Sequence, residues 1–100
     1  MKIEHIAFNV KHPLEVSDWY EEHLGMKVVK KMTTSPYMIF LSDDSGKAMI
    51  ELYNNPAAEI LDYANQDPLM VHLAFVSENP DEEKERLQKA GAVLVSDDTL

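Results

Sequence analysis

Residues 3–10, "IEHIAFNV", and residues 70–77, "MVHLAFVS", carry one pattern twice: a histidine, a branched aliphatic residue, an alanine and a phenylalanine. The first copy alternates polar and apolar side chains over residues 2–10, the period-two signature of a strand. Ile6, Phe8 and Val10 fall on one face, while Ile3, His5, Ala7 and Asn9 fall on the other. The second copy predicts a strand over Met70–Val76, with His72 on the face of Met70, Ala74 and Val76 and Phe75 opposite. Downstream of each strand a proline opens a predicted helix at its first position, where the missing N–H costs nothing. These are Pro13 and Pro80, and glycines Gly25 and Gly91 close the two helices. His72 lies 67 residues after His5, Pro80 lies 67 after Pro13, and Gly91 lies 66 after Gly25. A strand histidine, a helix-opening proline and a helix-closing glycine in register, with one deletion, read as an internal duplication.

The first copy continues beyond its helix, on which Val16, Trp19, Tyr20 and His23 form a core-facing stripe. Three strand-like runs follow, "MKVVKKM" (26–32), "YMIFLS" (37–42) and "AMIELYN" (48–54), the last two joined by a turn of composition "DDSGK" (43–47). Residues 1–54 therefore predict a βαβββ module. Residues 55–68 form a connector, with one or two helical turns expected around Ala57–Tyr63. A second module occupies 69–100: the Met70–Val76 strand, a helix capped by Asn79 with Glu82 placed for a capping box, and a strand beginning at "AVLV" (92–95). It stops early. Adding 66 to Glu51 gives position 117, past residue 100. The expectation is that the later strands of this module lie outside the sequence, which leaves an open sheet edge. The fold class read from this pattern is α+β, with paired βαβββ modules forming a half-barrel mixed sheet in a single domain, the second module incomplete.

Composition narrows the chemistry. A net charge of −9 opposes binding to nucleic acid, which needs a basic face; "KVVKK" (27–31) is the only basic cluster and lies along one strand. No apolar run approaches a membrane span, and the N-terminus lacks a signal-peptide core, so the cytoplasm is the default location. The chain has no cysteine, which excludes disulfides, thiolate metal sites and cysteine nucleophiles.

The duplicated histidines both lie on the face opposite the phenylalanines. If two like modules curl around a shared hollow, His5 and His72 enter it together. Glu51 belongs with them: in the 48–54 strand Met49, Glu51 and Tyr53 share a face, and Ala48, Ile50 and Leu52 share the other. A carboxylate within an apolar strand is costly to bury without a partner. Two imidazoles and a carboxylate facing one cavity suit a divalent ion such as Zn, Ni, Mn, Co or Fe. Taken one at a time, each of these residues is also compatible with a satisfied structural or surface role.

"EHIAFNV", the helix ending "WYEEHLGMKVV", "AMIELYN" and "VHLAFV", in this order, resemble the vicinal oxygen chelate superfamily, and within it glyoxalase I. The resemblance runs from residue 2 to about residue 95. It implies paired βαβββ modules around a metal held by His5, Glu51 and His72, with a further glutamate expected near position 117. It implies metal-assisted proton transfer or isomerisation on a substrate with two neighbouring oxygens, with a metal-side carboxylate, Glu51 or its counterpart, as catalytic base. Glutathione as cosubstrate and a homodimer are further implications. Asn55 matches a glutathione-contacting asparagine of the family, whereas Asn9 stands where glyoxalase I commonly has an arginine; both are candidate substrate-binding residues. Two alternatives within the same fold are a non-catalytic antibiotic-binding protein of the bleomycin-resistance type and an Fe(II) extradiol dioxygenase.

Overall fold

The computed structural model describes residues 1–47 and 49–98, and the chain divides into two compact units, Met1–Gln66 and Asp67–Leu100. The first unit is a complete βαβββ module: β1 (Ile6–Asn9), α1 (Pro13–Leu24), β2 (Lys27–Lys31), β3 (Ile39–Ser42) and β4 (Met49–Tyr53). The strands form a mixed open sheet in the order β1-β4-β3-β2. β1 runs parallel to β4, and the other two pairings are antiparallel. The fold class is α+β.

Alternation along the strands decides which face is buried. Ile50 and Leu52 of β4 pair with Leu41 and Ile39 of β3, and with Met26 these four side chains form the buried core. Phe8, Val10, Leu14, Val16, Tyr20, Leu24 and Val28 close over it. The helix presents a face rotated from the predicted stripe. Pro13 and Ser17 are its buried residues, and Leu14, Val16, Tyr20 and Leu24 pack on the core. Trp19 and His23 sit beside this face, ring against ring at 4.9 Å. Ser17 is wholly buried and donates its hydroxyl to the Leu14 carbonyl at 3.0 Å. A small, internally satisfied side chain thus occupies the point where helix and sheet meet.

Gly25 ends α1 in the left-handed conformation (φ 67°), and the Met26 N–H returns to the Tyr20 carbonyl at 3.3 Å, satisfying a carbonyl of the last turn. A Cβ at Gly25 would find Asp44 Oδ1 at 3.9 Å, so space is ample and only the backbone conformation resists it. Gly25→Ala should therefore cost about 1 kcal/mol, read as a modest fall in the urea midpoint. Burial raises the Tyr20 hydroxyl above its ordinary pKa. The fold favours its neutral form, so this contribution is intact below about pH 10 and is lost as pH rises through the folded-state value. Thermal unfolding followed by circular dichroism should show a midpoint falling above that pH, and Tyr20→Phe should flatten the fall.

Several sequence expectations change. β1 begins at Ile6 rather than residue 2, because its ladder follows β4, whose first strand residue is Met49. The connector has turns and no helix. Asn55 and Asp67 side chains accept the N–H groups two residues on, at Ala57 and Leu69, and Asp62 accepts the Asn65 N–H through its carbonyl. Such local acceptors compete with helical hydrogen bonds.

In the second unit, described by itself, α2 (Pro80–Lys89) forms as expected, but its capping box does not. Asn79 makes no side-chain cap, and its N–H goes to the Ser77 hydroxyl at 3.1 Å instead of to Glu82. Neither the Met70–Val76 strand nor the one beginning at Ala92 is formed among the described residues. A strand exists through its ladder. In the first module β1 is held by β4, whereas among the described residues no strand pairs with residues 70–76, and Phe75 and Val76 are exposed.

Candidate functional site

The face of the sheet away from α1 carries the candidate residues. Strand pairing arranges them in rows: Ala7, Glu51, Phe40 and Lys30 follow one another across β1, β4, β3 and β2. A neighbouring row runs through Met49, Ser42 and Lys27. His5, one residue before β1, reaches into the first row. Its Nε2 stands 3.5 Å from Glu51 Oε1, and its ring meets Phe40 edge-on with centroids 5.2 Å apart. Glu51 is shielded, with 12% of its side chain exposed against 33% for His5. Two of the three predicted ligands are thus brought together by β1 and β4.

The other ring nitrogen of His5 faces Glu4 Oε1 at 3.0 Å. His72, in the second unit, has its Nδ1 at 2.6 Å from the Pro68 carbonyl. A carbonyl oxygen only accepts, and so does an ionised carboxylate, so in both histidines Nδ1 is placed to donate. At His5 the second ring nitrogen, Nε2, faces the Glu51 carboxylate, and a proton or a cation between the two satisfies both.

The fit to a metal can be tested on this distance. Zinc–nitrogen and zinc–oxygen bonds of about 2.0–2.2 Å in tetrahedral geometry place two ligand atoms about 3.4 Å apart. The 3.5 Å between His5 Nε2 and Glu51 Oε1 matches that bite. Among the described residues no group of three or more His, Cys, Asp or Glu is assembled around one point.

The two asparagines hold structure. Asn9 Nδ2 donates to the carbonyls of Asn55, Ala58 and Glu59 at 3.1–3.3 Å, and its Oδ1 accepts the Asn55 N–H at 2.8 Å. The Asn55 side-chain oxygen accepts the Ala57 N–H. Tyr63 donates its hydroxyl to the Asn9 carbonyl at 2.9 Å, and its pKa is raised by burial and by the nearby Tyr53. Asn9 therefore bolts the connector to the end of β1. Sequence reasoning missed this role; a polar residue at a strand end facing an asparagine-rich connector was its only signal. Asn9→Ala would strand the Asn55 N–H and free three carbonyls. Hydrogen exchange at Asn55 should then speed up by at least tenfold, for a cost of about 1–3 kcal/mol.

An open mixed sheet backed by one helix, with a histidine–carboxylate pair on the face away from that helix, defines the class. The chain belongs to the Glyoxalase/Bleomycin resistance protein/Dioxygenase superfamily, whose family model matches residues 2–97. The structure resembles that of TnmS3, an antibiotic-binding protein from Streptomyces sp. CB03234, with a TM-score of 0.63 at 14% identity, covering 91% of this chain and 71% of that one. It also resembles a glyoxalase/bleomycin resistance protein from the same organism, with a TM-score of 0.59 at 15% identity, covering 87% and 72% of the two chains. At these identities the likeness establishes the fold alone. No curated protein matches the chain. Among the described residues no helix is long and apolar enough to cross a membrane.

Proposed function

We propose that this chain is a glyoxalase-like metalloprotein that carries out proton transfer on a small substrate with two neighbouring oxygens. The observation that carries this reading is the His5–Glu51 pair, an imidazole nitrogen and a carboxylate oxygen 3.5 Å apart, with His5 one residue before β1 and Glu51 on its parallel neighbour β4. His5 and Glu51 would hold a divalent ion, and the family resemblance implies His72 as a further ligand. When bound, such an ion supplies Lewis-acid stabilisation of negative charge developing on the substrate oxygens.

The remaining work falls to this chain's own groups. Glu4 meets the His5 ring at its far nitrogen, Nδ1, and Phe40 meets it edge-on. Ala7, beside Glu51 in the row, is a small exposed side chain. Glu51 is shielded enough to act as a base toward a substrate C–H once a ligand displaces water. Metal analysis by mass spectrometry, followed by a methylglyoxal and glutathione assay, tests the reading. Near-stoichiometric metal and isomerase turnover are the expected results, and metal-free protein that stays metal-free after incubation with Zn, Ni, Mn, Co and Fe(II) would remove it.

A second reading is non-catalytic capture of a small molecule on the same face. It is supported by the antibiotic-binding function in the name of one structural neighbour and by the aromatic and apolar side chains of Phe40, Met49 and Tyr53 beside the pair. It predicts ligand binding that is unchanged in His5→Ala.

A further inference from the structure

We propose that the substrate of this site bears an acidic group, held by Lys27 and Lys30 at the β2 edge while its paired oxygens lie at His5 and Glu51. This deepens the metal reading above and rests on it. Lys27 and Lys30 are three residues apart, and strict alternation along a strand would send them to opposite faces. The pairing of β2 with β3 shifts register between Val28 and Lys30, so Lys27 pairs with Ser42 and Lys30 with Phe40. Ser42 and Phe40 alternate with the buried Leu41, which puts both lysines on the face of Phe40 and Glu51. Bulges re-aim side chains in this way and concentrate at sheet edges and beside active sites.

Edge lysines also discourage strand pairing between molecules. An edge bulge can serve the same end, but that role does not require the two lysines to share one face. Lys31, paired with Ile39, remains on the opposite face and serves as an internal comparison. Among the described residues Lys27 and Lys30 make no ion pair, although the chain carries 18 Asp and Glu residues. Asn55, which the family resemblance assigns to glutathione, and Asn9, at the position of the family's arginine, are engaged with the connector instead.

Dimensions set the ligand's shape. Lys30 lies two strands from Glu51 along the row, about 10 Å at the usual interstrand spacing, with Phe40 between them. The fitting ligand is a flat or extended molecule of that order of length, with an oxygen pair at one end, an apolar middle over Phe40 and a carboxylate or phosphate at the other.

The test uses the full chain loaded with zinc and two probes, benzohydroxamate and its para-carboxylate. Both offer vicinal oxygens, and only the second reaches toward β2 with a negative charge. Titration calorimetry should show the carboxylate probe binding about fivefold tighter at low salt, the scale of one or two exposed ion pairs, with the preference fading at 0.5 M NaCl as screening predicts, the Debye length falling below about 5 Å. Lys27→Ala/Lys30→Ala should remove the preference and leave benzohydroxamate binding intact, while Lys31→Ala should leave both unchanged. Equal affinity for the two probes in the native chain, or an equal effect from Lys31→Ala, would overturn the lysine assignment alone. Failure of both probes to bind in a zinc-dependent manner would overturn the metal reading and this inference with it.

Discussion

Alanine at His5 or at Glu51 is expected to abolish stoichiometric uptake of a divalent ion, with the fold left intact. Removing a ligand should weaken metal affinity by more than the roughly 10–100-fold that outer-sphere partners cost. His5 is one-third exposed and precedes β1, so its loss should move the thermal midpoint little. Glu51 calls for a finer comparison, since it lies in the middle of β4 and is largely shielded. Glu51→Gln keeps the shape and removes the charge, so a midpoint equal to or above that of the native chain with metal uptake lost would separate ligation from packing. A shielded carboxylate is a cost unless a cation or a donor lies beside it. Titration calorimetry of the native chain and the three variants with Zn or Ni measures the effect. Native-like uptake in both His5→Ala and Glu51→Ala would pass the site to the second, metal-free reading.

The largest effect on stability belongs to the other face of the same sheet. Leu41 is fully buried, paired with Ile50 in β4 and Val28 in β2, and central to the only buried apolar cluster among the described residues. Leu41→Ala should cost about 3 kcal/mol through lost transfer energy and the cavity left behind, lowering the midpoint by on the order of 15 °C in a unit of this size. Ile6→Ala, at a residue 51% exposed, should cost under about 1 kcal/mol. Urea unfolding of both variants checks the contrast. Similar losses in the two would mean that the core lies elsewhere than under α1.

The sequence exposed the features fixed by local periodicity. Alternation placed His5 and Glu51 opposite the core, and the observed pairing of Ala7 with Glu51 brings β1 beside β4 so that the two side chains meet. Pro13 and Gly25 bounded α1 because their backbone preferences act without neighbours. The features it hid depend on partners far along the chain. Asn9 gains its role from carbonyls 46 to 50 residues away, which no short pattern displays. Ser17 is buried by the approach of the sheet, against its composition. The bulge that gathers Lys27 and Lys30 arises in pairing with β3 and leaves no mark in "KVVKK". Residues 70–76 repeat the composition of β1 but lack its ladder, so the same residues read as a strand and do not form one.

The central claim is that His5 and Glu51 share one ion, and an anomalous difference map from crystals grown with zinc, recorded at the zinc edge, tests it most directly. The account predicts a peak within bonding distance of both His5 Nε2 and Glu51 Oε1. A map with no peak there, and with the two side chains joined by a direct hydrogen bond, would contradict it.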